Sequence, residues 1–120
     1  MNTDTRDDDY RTARDELSAE VIFDLLSVSR RRHALYYLTE NVGTTGLHDL
    51  SDVLAIWEGD IDERHRQRIA TGLYHRHFPK LADAGVARYD AASDRIELLP
   101  AADKLKPYLD LAGRDDARSV

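Results

Sequence analysis

The chain has no cysteine. Disulfide stapling, thiolate zinc sites and thiol nucleophiles are therefore excluded. Lysine is scarce, 3 against 14 arginines, and glutamate is scarce beside aspartate, 6 against 17. Apolar runs extend for a few residues only, too short to span a membrane. The acidic N-terminus lacks the apolar stretch of a signal peptide, so a cytoplasmic location is expected. There is no glycine-rich phosphate loop, no nucleophile elbow and no HExxH helix, so neither enzyme activity nor a cofactor is expected.

What is present is acid. The formal charge is −6 over 120 residues. An acidic, lysine-poor surface suits molar salt, where the Debye length falls to roughly 3 Å and self-repulsion is screened. This composition points to a halophilic source, the alternative being a GC-rich genome that favours arginine and aspartate codons. The length suits one domain, 17–112. Residues 1–16 and 113–120 are polar without apolar periodicity and are expected to stay flexible.

Positive charge is concentrated against this background. Residues 61–80 carry Arg64, Arg66, Arg68, Arg76 and Lys80 against Asp62 and Glu63, a net of +3. Arg30, Arg31 and Arg32 add +3, which leaves −12 on the other 97 residues. Segregation of this kind points to a face that binds a polyanion.

The apolar spacing predicts a first helix over Leu17–Ser27, capped by Ser18, with Val21, Ile22, Leu25 and Leu26 on one face. A second, over about 30–41, is expected to start at a Ser29 cap and to bury Ala34, Leu35 and Leu38. Thr44–Leu47 reads as a connector able to pair as a short strand. Leu50, Val53, Leu54 and Trp57 give a third helix that stops near Gly59. Asp62 caps a fourth, whose inner stripe is Ile69, Leu73, His77, Leu81 and Ala84. Pro79 should kink or break it near Arg76–Phe78. Val86–Tyr89 and Arg95–Leu99 read as a hairpin around a turn at Asp90–Asp94. A last helix, about 101–112, is made irregular by Pro107. The fold expected is mainly α with a small β-hairpin: a winged helix-turn-helix with a three-helix core, a wing and a C-terminal helix.

The segment Leu17-Ser-Ala-Glu-Val-Ile-Phe-Asp-Leu-Leu-Ser-Val-Ser-Arg-Arg-Arg32 resembles the opening block of an uncharacterised winged helix-turn-helix family of halophilic archaea. Leu73-Tyr-His-Arg-His-Phe-Pro-Lys-Leu-Ala-Asp-Ala-Gly-Val86 is similar to that family's second block, and Leu50–Glu58 to the helix between them. The likeness covers roughly residues 17–100. It implies kinship with small archaeal DNA-binding regulators and no established biochemical role.

The function expected is DNA binding in transcriptional regulation, with a recognition helix over about 63–78. On a wheel of about 100° per residue, Arg64, Arg68, Thr71 and His75 share one face, opposite Ile69 and Leu73. Gln67 lies beside them. Arginine can grip guanine O6 and N7 through two bonds, and threonine can meet polar edges or a thymine methyl. Arg30, Arg31 and Arg32 fall at a helix start, where cations oppose the macrodipole; a phosphate would relieve them, and the alternatives are a salt bridge to Asp24 or Glu20, simple exposure, or a packing role for one of them. The wing carries Arg88 and Arg95, and its tip is acidic through Asp90 and Asp94. Leu105, Tyr108 and Leu109 make the last helix a candidate homodimer surface, with double-stranded DNA as partner. His75 and His77 are two apart and diverge by about 160°, so no metal site is expected. The alternative is a winged-helix adaptor that binds a protein instead of DNA.

Overall fold

The structure is a computed structural model and describes residues 17–119. The acidic segment 1–16, expected to be flexible, lies outside the described residues. The chain is mainly helical with one small antiparallel hairpin. In order it forms α1 (Ala19–Leu25), α2 (Ser29–Glu40), α3 (Leu47–Glu58), α4 (Glu63–Gly72), a π turn (Leu73–His77), α5 (Phe78–Asp83), β1 (Ala87–Asp90), β2 (Arg95–Leu98), a 3-10 turn (Pro100–Leu105) and α6 (Lys106–Ser119).

Local chemistry sets the helix starts. The Ser18 hydroxyl accepts from the Val21 amide at 3.2 Å and opens α1. Asp62 accepts from the Arg64 amide at 3.1 Å and opens α4, with Glu63 in its first turn. Ser29 does not cap. It is the first residue of α2, behind Val28, and Arg31 and Arg32 hold that corner instead. Gly59 closes α3 at φ 78°, a left-handed value that glycine adopts without a steric penalty.

The α geometry of the fourth helix is interrupted just before Pro79, as expected, but the chain stays helical. The helix passes through the π turn, in which the Phe78 amide donates to the Leu73 carbonyl. Pro79 then falls in the first turn of α5.

The core joins Leu25, Leu35, Leu38, Leu50, Leu54, Ile69, Leu73, Phe78, Leu81, Ile96 and Leu105, all buried. Burying a side chain of this size contributes roughly 1.5–3 kcal/mol. On α3 the expected stripe is shifted. Leu50, Ser51, Leu54 and Ala55 are buried, whereas Val53 is half-buried and Trp57 is exposed. The Ser51 hydroxyl donates to the Leu47 carbonyl at 2.8 Å, which lets it enter the core.

In the hairpin Ala87 pairs with Leu98, Arg88 with Glu97, Tyr89 with Ile96 and Asp90 with Arg95. Thr45 adds a single bridge to Ile96, with amide-to-carbonyl bonds of 2.9 Å both ways. The connector before α3 therefore forms a third edge of the small sheet. Asp94 takes a left-handed φ of 56° and turns inward. Its Oδ1 accepts from the Leu47 amide and from the Tyr89 hydroxyl, each at 3.1 Å. The acid expected at the wing tip thus serves the start of α3. Asp90 stays at the tip and accepts from the Ala92 amide and the Ser93 hydroxyl.

The C-terminal helix runs further than expected. It continues to Ser119, and Asp116 is held by Arg32 and Tyr36, so 113–116 are packed helix. Proline is tolerated at 107 because it is the second residue of α6.

Candidate nucleic-acid interface

The outer face of α4 presents Arg64, Gln67, Arg68 and Thr71 to solvent, while Ile69 and Ala70 are buried beneath. Beyond it His75 is also exposed, its ring edge-on to Tyr74 at 4.7 Å. The stripe expected from the sequence therefore lies on one accessible surface.

The cations of this stretch differ in their partners. Arg66 is paired to Glu63 and lies 3.9 Å from Asp52. Lys80 meets Asp24 at 2.7 Å. Among the described residues, the Arg64, Arg68 and Arg76 guanidinia face no carboxylate within ion-pair distance. Arg76 was missed because a π turn rotates each residue through less than an α turn does, which brings it toward the Arg64–Arg68–Thr71 face. Gln67 donates to Glu63 at 3.1 Å and so is partly engaged.

Glu58 is the fastener behind this face. Its carboxylate accepts from Arg30 Nε and Nη2 at 2.9 and 2.8 Å and from His65 Nε2 at 2.8 Å. Burial works to raise the Glu58 carboxyl, but the bonds from Arg30 and His65 outweigh it and hold it below the ordinary range. His65 Nδ1 then accepts from Arg68 at 3.3 Å. A chain of contacts thus runs from the start of α2 through the end of α3 to a solvent-facing arginine of α4.

The hairpin docks beside the far end of the same helix. Tyr89 of β1 packs its ring 5.9 Å from Tyr74 and 4.9 Å from Phe78. Burial and the Asp94 bond push its hydroxyl up to about 12.

Residues 23–97 match the family described as a domain of unknown function, DUF7344. The chain belongs to that family. No curated protein and no solved structure matches it.

The DUF7344 segment contains both basic runs, and the Arg30–Arg32 run is corrected by its contacts. Arg31 is only 1% exposed. Its Nε and Nη2 donate to the carbonyls of Leu25 and Asp24, both at 2.7 Å, and Nη1 lies 3.1 Å from His77 Nδ1. A guanidinium closed in this way is not placed to meet phosphate. Burial lowers the Arg31 pKa. Arg30 is occupied by Glu58. Arg32 donates to both oxygens of Asp116 at 3.0 and 3.1 Å and to the Leu26 carbonyl at 2.7 Å. The unfavourable charge at the helix start is offset by carbonyls and carboxylates from the same chain.

His77 is buried and close to Arg31. Burial first, then the charges of Arg31, Arg76 and Arg30, push its imidazole down to about 4. Among the described residues no group of three His, Cys, Asp or Glu side chains is arranged to hold a metal.

On the hairpin, Arg88 pairs with Glu97 across the strands, and Arg95 is exposed with no ion pair among the described residues. In the last helical stretch Leu105 and Leu109 are buried within the chain itself, so they are not free for a partner. Tyr108 remains 41% exposed and meets exposed Phe23 edge-on at 5.9 Å.

Proposed function

We propose that this is a winged helix-turn-helix DNA-binding protein that regulates transcription. The observation that carries the reading is the outer face of α4, where Arg64, Arg68 and Thr71 stand exposed without carboxylate partners in a chain of net charge −6. In this reading α3 and α4 are the helix-turn-helix, joined by residues 59–62, and α4 with the π turn is the recognition helix. Thr45, β2 and β1 are the wing sheet. The Glu58 fastener fixes the angle of α4, and Tyr89 fixes the hairpin against it. Arg68 and Thr71 read base edges, Arg64 and Arg76 approach phosphates, and Arg95 is the wing cation. Two copies joined through Phe23 and Tyr108 read two half-sites. The acidic remainder supports a halophilic cytoplasm as the setting, where phosphate attraction is weak and base contacts carry more of the affinity.

A gel shift against genomic fragments, run from about 0.1 to 3 M KCl, tests this. Retarded fragments sharing one sequence support it. No retained fragment at any salt overturns it and favours the adaptor reading, for which exposed Ile56 and Ile61 at the α3–α4 corner are the supporting observation.

A further inference from the structure

A groove of about 690 Å³ lies between α2, the end of α3 and α6. That size is within the range of small-molecule sites. His33, Tyr36 and Glu40 follow one another along one face of α2, and Asp110 and Arg114 face them from α6. Trp57, the single tryptophan, borders the groove and is 38% exposed. The His33 ring lies 6.1 Å from Tyr36 and 6.2 Å from Trp57, so the three rings form a continuous wall.

The charges around this wall are unequal. Asp116 is held by Arg32 and Tyr36, and Lys106 by Asp103 at 3.2 Å. Among the described residues Glu40 and Asp110 have no cationic partner, and Arg114 has no anionic one. Two carboxylates against one guanidinium, set around the faces of tryptophan and tyrosine, give a site negative overall. Aromatic faces attract cations through their quadrupoles, and tryptophan does so best. An anion would be repelled by the two carboxylates.

We propose that this groove binds an organic cation that carries an aromatic ring. The ring lies against Trp57 and Tyr36, and the cationic centre is shared by Glu40 and Asp110. Trp57 immediately precedes Glu58, so occupancy abuts the contact that holds α4. Any effect on DNA rests on the reading above; the binding itself does not.

Because Trp57 is the only tryptophan, its emission reports on the groove directly. The full chain is titrated with phenyltrimethylammonium and, separately, with benzenesulfonate, an anion of similar size. The expected result is a saturable change with the cation and none with the anion. In the Glu40→Gln, Asp110→Asn double variant the cation affinity should fall about tenfold, with unchanged far-ultraviolet circular dichroism. A cation response that is absent or linear, an equal response to both ions, or undiminished affinity in the double variant would overturn the proposal. A chain that binds the cation and retards no DNA leaves this site standing and sinks the regulator reading alone.

Discussion

Nη1 of Arg31 lies 3.1 Å from Nδ1 of His77, a contact between residues 46 apart in sequence. The guanidinium has no lone pair to offer, so the imidazole accepts through Nδ1 and carries its proton on Nε2. The same guanidinium closes the last carbonyls of α1. One side chain thus ties the end of the first helix to the π turn.

Replacing Arg31 by alanine should destabilise the fold by roughly 3 kcal/mol, because the Leu25 carbonyl and the His77 imidazole nitrogen lose their donor in the interior, while the Asp24 carbonyl keeps Ser27. Arg31→Lys should recover little, since an ammonium cannot present the planar fork. Urea midpoints at neutral pH would show both effects. A midpoint for Arg31→Ala equal to wild type would contradict this account.

Acid should weaken the fold in a window set by His77. Its folded pKa is depressed from 6.5 to about 4. Above pH 6.5 the ring is neutral in both states and the stability is fully present. As the pH falls from 6.5 toward 4, the unfolded chain takes up a proton that the folded chain refuses. At most about 3 kcal/mol is lost across that span. Asp24, Glu58 and Asp116, all held low, lose their contributions at more acidic pH. His77→Gln keeps an acceptor for Arg31 and removes the titration. Its urea stability between pH 6.5 and 4.5 should be flat; a slope as steep as wild type would assign the loss elsewhere.

Asp94→Ala should cost about 1–2 kcal/mol, since the α3 start loses its acceptor and alanine resists a φ of 56°. Asp94→Asn should be nearly neutral because it keeps the oxygen and tolerates that backbone. Thermal melts would separate the two. Equal losses would mean that charge, not the capping bond, is what matters there.

These contacts mark where the sequence was readable and where it was not. Ser18 and Asp62 were legible as caps because each bonds an amide within three residues. The hairpin was legible from its turn. Arg31 was not, because its partners are backbone carbonyls and a histidine far along the chain. Asp94 was misread as a tip charge because its partner, the Leu47 amide, is 47 residues away. Trp57 obeyed the helical spacing yet faces the groove, since small Ala55 occupies the interior position. The Arg64–Arg68–Thr71 face was legible from periodicity alone; which of its neighbours lacked partners depended on tertiary ion pairs.

For DNA, Arg68→Ala should lose about 1–3 kcal/mol on the preferred site and relax one or two base positions. Arg64→Ala should weaken all sequences alike and flatten the salt slope by about one unit. Arg30→Gln should weaken binding with an unchanged slope, since Arg30 acts through Glu58. Anisotropy titrations at several KCl concentrations check all three. A flattened slope for Arg30→Gln would restore it as a phosphate contact.

Light scattering in about 2–3 M KCl should return twice the 13.7 kDa chain mass. Tyr108→Glu should halve it. A monomeric wild type would remove the Phe23–Tyr108 surface from the half-site arrangement.

The π turn has a consequence for how this helix varies by insertion and deletion. A π turn holds one residue more than the α turn it replaces. Removing one residue from 73–77 would let a continuous α-helix form up to Pro79, whose ring would then meet the carbonyl four residues back. Because the five residues of the π turn cover little more rotation than four α residues, the deletion would leave Phe78 and the hairpin nearly in register, and the proline clash would be its cost. A chain that loses the extra residue must therefore lose the proline with it.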